Sequence, residues 1–186
     1  MTRIVAGSVG GRRLVTPKGE TTRPTSERVR EALFGSIESQ GLLNGATVLD
    51  LYCGSGALAL EAISRGAASA VLVDASREAV QAARENVAAL GVQRVTVVLS
   101  SVQRYLANPA GTPSSLVFAD PPYAMPQDEL SGVLADLVGH GWLAAGGRLL
   151  VERSSRSVEP VWPAGVVRHD VRRYGETAVW HGRLTS

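Results

Sequence analysis

The sequence lacks the features that mark secreted and membrane proteins. Cys53 is the only cysteine among 186 residues, so no disulfide can form within the chain. No run of about 18 uninterrupted apolar residues is present, which excludes a typical membrane-spanning helix. The N-terminal residues lack the long apolar segment of a signal peptide. These absences predict a soluble protein of a reducing compartment, the cytoplasm.

Histidine is also scarce, and its distribution argues against a metal site. The three histidines, His140, His169 and His181, are scattered without the spacing of metal ligands. We therefore predict no metal. Cys53 lies within a glycine-rich stretch, where we expect a small packed thiol rather than a nucleophile.

The chain carries a net charge of only +2, but this charge is unevenly distributed. Residues 1–30 contain seven basic and two acidic side chains, a net of +5, which leaves −3 for the remainder. A basic segment on a nearly neutral body is typical of a polyanion contact, although a solvated tail would look the same. The candidate RNA-binding residues in this segment are Arg3, Arg12, Arg13, Lys18, Arg23 and Arg28.

Length and patterning predict an N-terminal arm followed by a single domain. Two short β-like runs around Gly7, Gly10 and Gly11 predict a hairpin, and we assign residues 1–23 to this basic arm. Residues 24–186 form the predicted domain. It opens on an amphipathic helix over residues 26–39, with a start at Pro24 and Thr25.

From residue 47 onwards, short apolar runs alternate with helical patterns. This alternation predicts a mostly parallel sheet covered by helices on both faces. The last two strand-like runs, 166–174 and 177–183, are separated by only Gly175 and Glu176 and must form an antiparallel hairpin. The predicted fold is α/β, a Rossmann-like class I methyltransferase sheet of seven strands. The predicted strands cover residues 47–51, 70–73, 95–98, 116–119, 148–152 and the hairpin pair, and the predicted helices cover about 57–65, 77–90, a short turn after 101, and 130–138.

Residues 48–62, VLDLYCGSGALALEA, carry the first functional motif. A strand delivers Asp50, and Gly54 and Gly56 allow a tight turn into a helix whose exposed N–H groups favour electronegative ligand atoms. Asp74 ends the next strand, where a carboxylate can accept both hydroxyl hydrogens of a ribose. The glycine spacing also fits a dinucleotide site. Asp50 favours S-adenosylmethionine instead, because a carboxylate there would repel a pyrophosphate but suits the ammonium of methionine.

The second motif is Asp120-Pro121-Pro122-Tyr123, directly after the fourth strand of the alternation. An exocyclic amine on a base is a poor nucleophile because its lone pair is delocalised. The Asp120 carboxylate and the Pro121 carbonyl can each accept one N–H and aim that lone pair, while the prolines hold both acceptors in place. Tyr123 can stack on the base. This motif specifies amino-group chemistry without separating adenine N6, cytosine N4 and guanine N2.

The remaining candidate site residues are assigned by position beside these motifs. Ser101 follows the third strand, where an adenine-contacting residue commonly lies. The complete set predicted to bind the cofactor S-adenosylmethionine is Asp50, Tyr52, Gly54, Ser55, Gly56, Asp74, Ala75, Ser101, Val102 and Asp120.

Over nearly its whole length the chain resembles the RsmD-type small-subunit (16S) ribosomal RNA guanine-N2 methyltransferases. The resemblance rests on RIVAGSVGGRRL, RPTSERVREALFGSI, LDLYCGSGALALEA and FADPPY, with a later YGET in support. The pairing of the first two stretches is more specific than the widely shared last two. Val9 departs from the family, which often has an aromatic or longer residue there. The resemblance implies transfer of a methyl group to a guanine N2 in the assembled small ribosomal subunit. We expect the protein to be a monomer.

Other functions share parts of this pattern. DNA adenine-N6 methylation uses the same two motifs, but it needs a separate recognition domain that we do not find in this sequence. An oxidoreductase would need a hydride-transfer acid or base near the glycine-rich loop. A non-catalytic RNA-binding protein would not need Asp50, Asp74 and Asp120 together. We therefore expect an RNA-modifying enzyme, since RNA loops present splayed bases to a pocket.

Overall fold

The computed structural model describes residues 2–17 and 27–185. The predicted N-terminal hairpin is present, but its strands are short: β1 (Thr2–Arg3) pairs antiparallel with β2 (Arg13–Leu14). Helix α1 (Glu27–Ser39) agrees with the helix predicted at 26–39. The predicted helix start at Pro24 and Thr25, and the boundary between residues 23 and 24, lie outside the described residues.

A seven-stranded sheet forms the body of the protein. Its strand order is β5-β4-β3-β6-β7-β9-β8. Strands β3 to β7 run parallel, whereas β9 pairs antiparallel with both β7 and β8. The mostly parallel sheet with a terminal antiparallel hairpin is therefore confirmed. The elements are β3 (Thr47–Leu51), α2 (Ala57–Ser64), β4 (Ser69–Asp74), α3 (Arg77–Leu90), β5 (Val95–Leu99), α4 (Val102–Leu106), β6 (Ser114–Ala119), α5 (Gln127–Gly139), β7 (Leu143–Ser154), β8 (Val166–Tyr174) and β9 (Thr177–Leu184).

Helices cover both faces of the sheet and divide the core into two layers. On one face, Leu106 of α4 and Leu134 of α5 pack against the strands, together with Trp180 of β9. On the other face, α1 and α2 bury Phe34 and Ala59 against the sheet. Within the described residues, no helix is both long and apolar enough to span a bilayer.

Local sequence signals set both ends of α3 and the start of α4. Ser76 accepts a hydrogen bond from the Ala79 N–H and caps α3, which ends at Gly91 in the left-handed conformation. Ser101 caps α4 in the same way. One prediction was wrong: the sequence predicts that Gly146-Gly147 turns the chain into the strand at 148–152, but β7 already begins at Leu143 and includes both glycines, where its pairing with β6 shifts register.

The described part of the arm packs firmly on the domain. Ile4 is fully buried with Leu60 and Leu90. The buried Glu61 carboxylate accepts hydrogen bonds from the Val5 and Ala6 N–H groups at 2.7 and 3.0 Å. Glu61 also forms ion pairs with Arg30 and Arg65, so the arm, α1 and α2 share one buried charge network.

Candidate functional site

The predicted site residues converge because four parallel strands end at the same edge of the sheet. The loops that follow these strands are joined by backbone hydrogen bonds. The Cys53 N–H donates to the Val73 carbonyl at 3.1 Å, and the Asp120 N–H donates to the Leu51 carbonyl at 3.3 Å. Asp50, Asp74, Ser101 and Asp120, which are far apart in sequence, therefore lie at adjacent strand ends, the usual ligand-binding edge of an open α/β sheet.

The donor loop, residues 52–56, turns sharply between β3 and α2. Gly54 and Gly56 have φ of 53° and 81°. A Cβ on Gly56 would approach Leu72 Cδ2 to 2.6 Å, so a side chain there would be strained and would also displace the core. Tyr52 has φ of 61° without being glycine. Such strained backbone concentrates at functional sites, where the surrounding structure maintains it.

Asp50 lies beneath the donor loop and is fully buried. Its Oδ2 accepts a hydrogen bond from the Ala59 N–H at 3.1 Å, whereas no donor among the described residues reaches the buried Oδ1. Burial raises the pKa of Asp50 to about 7, opposed by the Ala59 hydrogen bond and reinforced by Asp74. An unsatisfied carboxylate oxygen at this position fits the ammonium group of a methionine moiety, directly or through water.

Asp74 has a second role besides the one predicted from sequence. Its Oδ2 accepts from the Gly54 N–H and its Oδ1 accepts from the Ser76 N–H, each at 2.9 Å. Each oxygen of an ionised carboxylate has a further acceptor position. Asp74 can therefore hold the donor loop and still accept hydrogen bonds from a ribose.

The other predicted donor-site residues differ in what they offer. Burial raises the pKa of the Tyr52 hydroxyl to about 12, with a further contribution from Glu129, so it remains protonated. Ala75 and Ser101 are exposed at the rim. Val102 packs its side chain into the core, so its available group is the backbone N–H at the start of α4. The Ser55 carbonyl accepts a hydrogen bond from Asn86 Nδ2 at 2.9 Å, which holds this residue in place.

Asn86 is a residue that the sequence reading missed. It lies on the buried side of α3, and its side chain also hydrogen-bonds to the N–H and carbonyl of Val15. It thereby connects the end of the arm hairpin to the donor loop. Because both partners are backbone groups distant in sequence, nothing in the local pattern indicates this role.

The target motif, Asp120–Tyr123, follows β6 directly. Pro121 is buried, Asp120 is half-buried and Tyr123 is 49% exposed, as expected for a ring that can meet a base. The Tyr123 hydroxyl lies 3.1 Å from Thr177 Oγ1, which fixes the ring against the C-terminal hairpin. The motif and the hairpin therefore form one side of the site.

Two adjacent charged residues at the end of β7 were also missed. The buried Arg153 donates to the carbonyls of Pro122 and Met125 at 3.3 and 2.8 Å and so holds the target motif from below. The buried Glu152 lies beside Asp120 on the neighbouring strand. A signal was available, because Glu152 and Arg153 end an apolar strand at the same sheet edge as the two motifs.

Two cavities lie between α1 and this part of the sheet. The larger, of about 380 Å³, is lined by Arg28, Val29, Ala32, Tyr174 and Gly175. The smaller, of only about 10 Å³, contains both carboxylate residues, and its lining is Leu33, Leu58, Phe118, Ala119, Asp120, Leu150, Glu152 and Val179. The space beside the target motif is therefore bounded by α1 and the C-terminal hairpin.

Of the predicted RNA-binding residues, Arg3 and Arg13 are register partners across the arm hairpin. Arg3 is exposed and pairs with Glu27 at 3.0 Å, and Arg12 donates to the Ala89 carbonyl at 2.6 Å. Arg13 is exposed on β2, whereas Arg28 lies on α1 beside the larger cavity. Lys18 and Arg23 lie outside the described residues. Their role in RNA binding stays a prediction.

Comparison with known proteins relates the whole chain to one family. Residues 2–183 match the model of the family described as Conserved hypothetical protein 95. The ribosomal RNA small subunit methyltransferase D of Escherichia coli K12 is 37% identical over 176 residues, covering 95% of this chain and 86% of the relative.

Solved structures share the architecture. A structure described as "Putative methyltransferase yhhF from Escherichia coli" is 36% identical, with a TM-score of 0.87 over 99% of this chain and 98% of the other. Magnesium protoporphyrin IX methyltransferase from Synechocystis PCC 6803, solved with S-adenosylmethionine bound, is 17% identical with a TM-score of 0.66 over 86% and 79% of the two chains, and shows the fold alone. The predicted class I methyltransferase fold is thus confirmed.

Proposed function

This chain belongs to the Conserved hypothetical protein 95 family, and from that premise we propose that it is an S-adenosylmethionine-dependent methyltransferase acting on small-subunit ribosomal RNA. The proposed acceptor is the N2 amine of one guanine, presented by the assembled subunit in the cytoplasm. The similarity to the E. coli small-subunit methyltransferase over 95% of the chain supports this substrate.

One observation carries the proposal. Asp50 and Asp74 lie at the ends of β3 and β4, and the target motif lies at the end of the neighbouring β6. A methyl donor held by the first two residues would place its reactive methyl between the donor loop and Asp120. Donor binding and amine positioning are then performed on one rigid edge, which favours transfer by orientation.

The donor site can be assigned from the groups available in this chain. S-adenosylmethionine, when bound, supplies an electrophilic methyl on a sulfonium. Asp50 Oδ1 would accept from its ammonium, and the Asp74 carboxylate would accept from the ribose hydroxyls. The N–H groups of Ala57 and Leu58 at the start of α2 would meet the methionine carboxylate, since that of Ala59 donates to Asp50. The loop geometry is set before binding by the hydrogen bond from Gly54 to Asp74.

The acceptor side depends on Asp120 and the Pro121 carbonyl. Each would accept one N–H of the exocyclic amine, which concentrates the nitrogen lone pair towards the donor. Tyr123, fixed by Thr177, would stack on the base. Arg153 donates to the Pro122 carbonyl and so restrains the motif.

Methylation of subunits tests the proposal directly. Small subunits from a bacterium lacking the corresponding gene would be incubated with the purified protein and labelled S-adenosylmethionine, and the RNA would be digested to nucleosides for mass spectrometry. We expect N2-methylguanosine at one position. Label in adenine N6 or cytosine N4, or label only in duplex DNA supplied in parallel, would contradict the proposed acceptor. The DNA result would favour adenine-N6 methylation instead.

A further inference from the structure

A second carboxylate lies beside the one that would position the amine. Ala119 and Val151 are register partners in the parallel pair of β6 and β7, so Asp120 and Glu152 follow at equivalent positions. Parallel neighbours lie roughly 4.8 Å apart and direct paired side chains to the same face. Both residues line the smaller cavity beneath α1.

The burial of Glu152 shows that the position is not an ordinary surface acid. Only 6% of the residue is exposed, although a glutamate is almost never buried without a specific hydrogen-bonding or charge partner. Leu150 lies two residues earlier on the same face of β7. It is apolar and packs with Phe118 in the core. The strand thus changes from apolar to acidic at the point where it reaches the site.

We propose that Glu152 recognises guanine by accepting the N1–H of the base whose N2 amine Asp120 and Pro121 hold. This inference rests on the proposed function and adds the residue that selects the base. Guanine presents two kinds of N–H side by side on its Watson–Crick edge, at N1 and N2, which are both bonded to C2. Two neighbouring carboxylates are complementary to that pair.

The same geometry rejects the other bases that carry an exocyclic amine. Adenine and cytosine have an unprotonated ring nitrogen beside the amine, and its lone pair would face the Glu152 carboxylate. Such a base would offer Glu152 a lone pair in place of a donor, so the hydrogen bond at this ring position would be lost and two acceptors would face each other. Because a carboxylate has about four acceptor positions, Glu152 can keep its contacts within the protein and still accept N1–H.

An analogue of guanine separates this role from a purely structural one. Subunits would be reconstituted with 2-aminopurine replacing guanine at the methylated position, which retains the 2-amine but leaves N1 unprotonated. The wild-type protein should methylate guanine at least about tenfold faster, in kcat/KM, than 2-aminopurine. Equal rates on the two bases would overturn the inference without using any variant.

The variant Glu152→Gln provides a second test. A neutral amide is a weaker acceptor for N1–H than a carboxylate, so kcat/KM for guanine should fall about 10-fold to 100-fold. The amide N–H can instead donate to the unprotonated N1 of 2-aminopurine. The preference for guanine over 2-aminopurine should collapse by at least about tenfold. Glu159→Gln, which removes a carboxylate paired with Arg168 outside the site, is the matched control and should keep the wild-type preference.

The outcomes distinguish this inference from the proposed function. A Glu152→Gln variant that loses activity on both bases equally, keeping their ratio, would show a structural role and overturn base recognition alone. Unchanged activity on guanine would do the same. A wild-type protein that forms no N2-methylguanosine in natural subunits would instead overturn the proposed function, and the assignment of Glu152 with it.

Discussion

The Asp74 carboxylate accepts a hydrogen bond from the Gly54 N–H at 2.9 Å. Asp74, at the end of β4, therefore also holds the glycine-rich donor loop that follows Asp50. Replacing Asp74 by alanine should therefore remove two contributions to donor affinity, the ribose contacts and the restraint on the donor loop. We expect donor affinity to weaken by about 1–3 kcal/mol from the lost ribose contacts, with a further loss from a less ordered loop. Calorimetry with S-adenosylhomocysteine measures the total.

Asp74→Asn separates these contributions. Its amide oxygen can still accept a hydrogen bond from the Gly54 N–H, but the amide nitrogen cannot accept one from a ribose hydroxyl. An affinity between those of the wild type and Asp74→Ala is expected. Unchanged affinity in both variants would remove Asp74 from the donor site.

Donor binding should depend on pH through Asp50. Burial raises its pKa to about 7, so below that pH the unliganded carboxyl is largely protonated. The ammonium of the donor prefers the ionised form, and its own amino group stays protonated below roughly pH 7.7. Affinity should therefore rise by up to about tenfold per pH unit as the pH approaches 7, then level off.

Calorimetry in buffers of different ionisation enthalpy checks the origin of this dependence. Near pH 6 the wild type should release close to one proton on binding S-adenosylhomocysteine. Asp50→Asn, whose amide oxygen can still accept from the Ala59 N–H, should release none and bind with little pH dependence below 7. Proton release that persists in this variant would assign the titration to another group.

Replacement of Asp120 should impair turnover more than donor binding. Its proposed role is to position the amine, which matters mainly in the transition state. We expect Asp120→Ala to lower kcat by at least about 100-fold while calorimetric affinity for the donor changes less than about threefold. Methylation of subunits at the wild-type rate by this variant would refute the acceptor role.

The basic arm should contribute to RNA affinity through charge. Each phosphate contact adds a slope of about −0.7 to −0.9 to a log–log plot of affinity against salt. Arg12→Ala combined with Arg13→Ala should therefore reduce the slope for subunit binding by roughly one to two units. The double variant Arg104→Ala and Arg168→Ala removes the same charge from other exposed positions and should leave the slope close to that of the wild type.

Stability must be followed in the arm variants, because Arg12 donates to the Ala89 carbonyl at the end of α3. Asn86 also connects Val15 to Ser55 in the donor loop. A thermal midpoint and a donor affinity near the wild-type values would show that the arm remains docked. Equal salt slopes for the arm variant and the control would then leave the arm without a role in RNA binding.

The sequence by itself determined the alternation of strands and helices, the terminal hairpin and the two motifs. These features are encoded locally. Ser76 and Gly91 mark the ends of α3 whatever surrounds it, and the glycines of the donor loop are required by its positive φ angles. The apolar runs of the parallel strands are nearly continuous because both faces of the sheet are covered. Local rules were insufficient at Gly146-Gly147, because β7 continues through the predicted turn as an irregularity in its pairing with β6.

Tertiary structure alone decided which distant residues meet. Asp120 and Glu152 are adjacent only because β6 and β7 pair in one particular register, and Asn86 reaches Val15 and Ser55 only because the arm folds back onto α3. Glu61 similarly joins the arm to Arg30 and Arg65. Such contacts form between elements separated by loops of variable length, so their partners leave no periodic trace in the sequence. Only packing of the whole sheet specifies them, since buried polar groups must find partners wherever the fold places them.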